Sequence, residues 1–321
     1  MIVPEFWAEA KESREINGRN ITIRRFGWSD LNVAAAQEHA ETRLKAALEN
    51  SSDAKHLLKR EPKVPYNGAE GVPIREEIIQ RHEDTIITRN SYGALCLNTP
   101  DVLFGDMDYE EQGAEKMGFI VFAVLLAIIG VAVFTANLPK IYFFLAVFAF
   151  PLTNFVHRIF SKKDEQQYQE KLQLIRSLMD KRPDWRLRIY KTPRGIRLLA
   201  LHKTFDPRSD EVTAFFAALG VDKIFQKMCA NQNCFRARVS PKPWRIGIEG
   251  HLRPRPGTWP IAPDKLHLRE RWVSEYERKS AAYAACKFVE EIGAGNVHPK
   301  AIAVQTLHDD YCKALSDLPI A

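Results

Sequence analysis

The sequence predicts an α+β fold: a mixed or antiparallel sheet domain with packed helices, interrupted by a two-helix transmembrane hairpin. Three observations carry this expectation. Short β-like segments bounded by Asn-Gly, Thr-Pro and Pro-Arg-Gly turns alternate with segments whose apolar residues recur at helical spacing. Such strands occur on both sides of the chain's centre. That centre holds two uncharged runs, 118–135 and 141–156, separated only by Ala136, Asn137, Leu138, Pro139 and Lys140.

The first element is a β-hairpin, AEAKESREI and ITIRRFGW flanking Asn17-Gly18-Arg19-Asn20, whose Asn-Gly is the strongest short turn signal. A helix over LNVAAAQEHAETRLKAALEN follows, with Ser29 and Asp30 as its expected cap. A linker rich in Lys, Pro and Gly leads to a short helix over 74–82, then to strands in TIITRNSYGALCLN and DVLFGDMDY. Beyond the centre, Tyr168, Leu172, Ile175 and Met179 share one helical face. WRLRIYKT and GIRLLALHK form two strands joined at Pro193-Arg194-Gly195, and a helix over 209–219 ends at Gly220. CFRARVS is a further strand, and the chain from Leu266 onward reads as mainly helical. The expected parts are 1–116, an α+β part; 117–160, the hairpin; 161–265, a second α+β part packing with the first; and 266–321, a helical part.

Each central run is about 16 to 18 residues, near the lower edge of what crosses a bilayer. A buried hairpin in a water-soluble core is the other reading, but GFIVFAVLLAIIGVAVFT has no polar face. Lys116, His157, Arg158, Lys162 and Lys163 flank the runs while the turn offers only Lys140, which places both polar parts on the cytoplasmic side. The expectation is a multi-pass protein of the inner (plasma) membrane with both termini cytoplasmic and no N-terminal signal peptide. The lipid bilayer is then a partner.

The chain carries 46 basic and 40 acidic residues, a mild excess of +6. That excess concentrates in RARVSPKPWRIGIEGHLRPR, 236–255, where six basic residues face one acid, Glu249. Such a stretch can meet phosphates or remain a solvated loop. Five cysteines without CxxC spacing suggest reduced thiols and neither a disulfide framework nor a zinc site.

Asp106 and Asp108, two apart on a strand, point to the same face, as carboxylates that hold a divalent metal must. An acidic strand end running into a solvated turn has the same sequence. The turn Lys191-Thr192-Pro193-Arg194-Gly195-Ile196-Arg197 brings cations and a glycine, whose backbone can approach phosphate closely, onto a strand that reaches His202.

The order of a DxD strand, a helix, a strand, a basic Thr-x-x-Gly turn, another strand and the basic strand RARVSPKPWR resembles the archaeo-eukaryotic primase (primase-polymerase) superfamily. The resemblance implies a metal-holding, catalytic role for Asp106 and Asp108, with Mg²⁺ or Mn²⁺, and a catalytic histidine, here His202. It also implies contacts to a triphosphate from Thr192, Arg194, Gly195 and Arg197, and from Arg236, Arg238 and Lys242. Arg197 stands where the family has its histidine, and Asp222 falls in an expected helix. The expected function is binding of nucleotide or nucleic acid, with metal-dependent nucleotidyl transfer. The alternative is a non-enzymatic membrane-anchored scaffold whose C-terminal helices hold a protein partner.

Overall fold

The computed structural model describes residues 3–16, 19–49, 63–64, 68–69, 72–110, 164–255, 257 and 259–321. The N-terminal hairpin forms as the turn signal requires: β1 (Phe6–Ile16) pairs antiparallel with β2 (Arg19–Ser29), from Phe6↔Ser29 to Ile16↔Arg19. Helix α1 (Val33–Glu49) lies across this ribbon. Its approach is so close that a Cβ on Gly27 would stand 2.2 Å from the Ala40 backbone nitrogen. The cap is Asn32, whose Oδ1 accepts from Ala35 N at 2.8 Å, two residues beyond the expected Asp30. A two-residue ribbon, β3 (Lys63–Val64) with β4 (Gly68–Ala69), interrupts the polar linker.

Two four-stranded antiparallel sheets form the body. One has the order β11-β7-β6-β5, from β5 (Glu77–His82), β6 (Thr85–Arg89), β7 (Leu95–Thr99) and β11 (Phe235–Arg238). The other has the order β12-β9-β10-β8, from β8 (Phe104–Asp108), β9 (Leu187–Thr192), β10 (Gly195–Ala200) and β12 (Lys287–Ile292). Strands from before and after the central region therefore share each sheet. Helix α2, residues 164–179, buries Tyr168, Leu172, Ile175 and Met179, the face that the periodicity indicates. Helix α3 (Asp210–Leu219) starts at the Ser209 cap and stops at Gly220 in the left-handed conformation. Helices α4 (Lys223–Gln232), α5 (Leu266–Ser280) and α6 (Pro299–Cys312) complete the described elements. One continuous core joins Phe104, Met107, Ile189, Leu198, Phe216 and Phe235 to Ala301, Val304 and Cys312 of α6.

Three expectations are corrected here. Residues 77–82 form a strand, not a helix: the charged, helix-favouring string EIIQRH is recruited by pairing with β6, with a bulge between Ile78 and Gln80. KFVEEI, read as helix, is edge strand β12, where Glu290 and Glu291 meet Arg176, Arg186 and Arg188. The third concerns the membrane. Among the described residues no helix is long and apolar enough to cross a bilayer. The described helices are short, the 17-residue α1 falling below the roughly 20 apolar residues a span needs. The fold is thus α+β without a membrane-spanning helix among the described residues, and the transmembrane hairpin and the multi-pass inner-membrane placement are not upheld. The runs 118–135 and 141–156 lie outside the described residues.

Candidate anion-binding site

The acidic strand and the basic turn are neighbours. β10 pairs with β8 so that Arg197 stands opposite Asp106 and Gly195 opposite Asp108. Glycine is required at 195, because a Cβ there would lie 2.2 Å from the Met107 carbonyl oxygen and 2.9 Å from Asp108 Cα. Arg197, 1 % exposed, grips the Asp106 carboxylate with Nε at 2.7 Å and Nη2 at 2.9 Å. Its Nη1 donates to the Arg238 carbonyl at 2.7 Å. That bond draws β11, the edge of one sheet, against β8, the edge of the other.

A cavity of about 340 Å³ opens at this seam. It is lined by Asp106, Asp108 and Asp222, by Arg236, Arg238 and Lys242, and by Tyr92. Asp222 is held by its role as the cap of α4, its Oδ1 accepting from Ile224 N at 2.9 Å. Arg236 is committed elsewhere: Nη2 donates to both Glu76 oxygens at 2.8 and 2.7 Å, and Nη1 to Asn98 Oδ1 at 3.1 Å.

Arg238 is different. Its Nε and Nη1 are buried and meet no acceptor among the described residues, and the same holds for Arg245 Nη1. The cations also crowd one another. Burial, then Arg238 and Arg245, push the Lys242 ammonium down to about 8. Burial, then Arg238 and Arg194, bring the Arg245 guanidinium down to about 10. Across the cavity, burial and then Asp106 push the Asp108 carboxyl up. Burial would do the same to Asp106, but Arg197, Arg238 and His308 outweigh it and hold that carboxyl below its ordinary value. Among the cations that line the cavity, Arg238 is the one whose buried donor atoms meet no acceptor among the described residues.

The remaining expected residues separate. Thr192 is buried opposite Gly195, and Arg194 is exposed at the turn, its carbonyl accepting from Tyr109 N at 2.7 Å. His202 lies beyond the opposite end of β10, off the cavity, with its ring 4.4 Å from that of Trp185 and Nδ1 accepting from Arg186 N at 3.3 Å. Asp222, Tyr92, Glu76 and Arg245 were not read as site residues. Arg245 was visible within the basic stretch, and Asp222 as the polar residue after the Gly220 break, but the other two carry no local signal.

The acidic side fits a divalent cation only in part. Asp106 has both oxygens engaged by Arg197, and Asp222 already caps α4, so Asp108 is the lining carboxylate nearest to the role expected of the pair.

No family model, no curated protein and no solved structure matches the chain. The expected function, an integral-membrane primase-like protein performing nucleotidyl transfer or serving as a membrane scaffold, is therefore corrected on two findings. No described helix crosses a membrane, and the carboxylate pair is half consumed by an ion pair.

Proposed function

We propose that the chain binds a small phosphorylated molecule in the cavity between β8 and β11. The observation that carries this reading is that Arg238, which lines the cavity, has buried Nε and Nη1 groups without acceptors among the described residues. A buried charged donor left unpaired costs more than a neutral one, so the arrangement calls for an anion with several oxygens. Arg238 supplies charged N–H donors for phosphate, and Lys242 a point charge beside it. Asp108 and Asp222 face the same space. A bound Mg²⁺ would screen their charge against the phosphate and leave them to set the ligand's orientation.

Isothermal titration of the full chain with inorganic tripolyphosphate, with and without Mg²⁺, tests the reading. Binding is expected in the parent, and Arg238→Ala is expected to lower affinity about 10-fold or more, in line with about 1.5–3 kcal/mol for a hydrogen bond to a charged group. Asp108→Asn should diminish the Mg²⁺ dependence and retain metal-free binding. Absence of binding in the folded parent, or equal affinity in Arg238→Ala, would overturn the proposal.

A further inference from the structure

A second cluster lies in the core, behind Arg197 and outside the residues that line the cavity. His308 and Cys312 are four apart on α6 and so share one face. Cys286, just before β12, is brought to that face by backbone bonds from Ala285 N to the Cys312 carbonyl at 2.9 Å and from Phe288 N to the Ala314 carbonyl at 3.0 Å. All three side chains are fully buried. Their ligand atoms lie within 4.8 Å of one another, with His308 Nε2 3.5 Å from Cys312 Sγ and 3.9 Å from Cys286 Sγ. Tetrahedral zinc, with Zn–S near 2.3 Å and Zn–N near 2.0 Å, sets nitrogen and sulfur about 3.6 Å apart.

The imidazole is oriented for coordination. His308 Nδ1 faces Asp309 Oδ1 at 3.1 Å, and Asp309 Oδ2 accepts from Arg188 Nη2 at 2.8 Å. A carboxylate that fixes the Nδ1–H tautomer leaves the Nε2 lone pair directed at the metal, the usual arrangement of a zinc-bound histidine. The single lone pair of Nε2 is approached by two thiols and by Arg197 Nη1 at 3.4 Å, and it can accept from only one. With Zn²⁺ bound, two thiolates and the ion form a neutral unit, and Arg197 keeps its shorter bonds to Asp106 and the Arg238 carbonyl.

We propose that Cys286, His308 and Cys312 form a zinc site. Binding releases the two thiol protons, places both sulfurs and Nε2 on the ion, and occurs as the chain folds, since the folded core closes over the ligands.

The test uses untagged full chain purified without chelator. One equivalent of zinc per chain is expected, and replacement by Co²⁺ should give thiolate-to-metal charge transfer with the intense visible bands of a tetrahedral, sulfur-ligated ion. His308→Ala and Cys286→Ser should each lose stoichiometric metal, while His308→Cys, which restores a third ligand, and Cys229→Ser should keep it. A strong chelator should lower the thermal midpoint of the parent. Because core variants can unfold, the parent's own metal content and cobalt spectrum decide the matter. A folded parent with only trace metal and no charge-transfer band, or with a Cys286–Cys312 disulfide in the non-reduced protein, overturns the site.

Discussion

Arg197 is the residue on which the candidate site turns. It is buried beside a carboxylate that is partly open to the cavity, with 1 % and 31 % side-chain exposure respectively. Asp106→Ala would strand that guanidinium and is expected to destabilise the fold by about 3–5 kcal/mol, measurable by urea unfolding. Asp106→Asn keeps an acceptor and should cost less. At Lys242 the sign of a pH effect can be worked out. Its folded value is near 8, below its ordinary value, so the folded chain loses this proton before the unfolded chain does. Its contribution to stability therefore rises as pH climbs from about 8 toward the unfolded value, while binding of an anion at the same residue weakens. Tripolyphosphate affinity measured across this window should fall more steeply in the parent than in Lys242→Arg, which stays charged. Equal slopes would remove Lys242 from the site.

At the scale of elements, the pairing of β8 with β10 depends on Gly195. Gly195→Ala would drive a methyl into the Met107 carbonyl and is expected to lower stability by about 1–3 kcal/mol or more and to weaken tripolyphosphate binding with it, read by chemical unfolding and titration. This is also where the legibility of the sequence can be judged. The hairpin at Asn17-Gly18, the buried face of α2 and the two strands around Pro193-Arg194 were legible because turn chemistry and apolar period are local. Strands β5 and β12 were not, since their charged, helix-favouring residues answer to partners far along the chain: Glu76, next to β5, is buried against Arg236, and Glu290 and Glu291 meet arginines of α2 and the β9 region. In the site, Asp106, Asp108, Arg238 and Lys242 were legible from spacing and charge. The engagement of Asp106 by Arg197 is a product of register, and the convergence of Cys286 with Cys312 is one of tertiary closure, so neither has a signature in spacing.

Across the whole molecule, stability is uneven. The ribbon β1–β2 and α1 share a small core of Ala10, Ile23, Ala40 and Leu44, while β6 to β10 sit in the large one. Amide hydrogen exchange should open the N-terminal unit at lower free energy than β9 and β10, and uniform protection would contradict this. The contact of Arg197 Nη1 with both the Arg238 carbonyl and His308 Nε2 has a further consequence. One guanidinium touches the wall of the anion cavity and the imidazole of the cysteine cluster, so an ion or ligand that shifts it at one place alters the energy of the other. Thermodynamic reciprocity then requires that whatever factor zinc imposes on phosphate affinity, phosphate imposes on zinc.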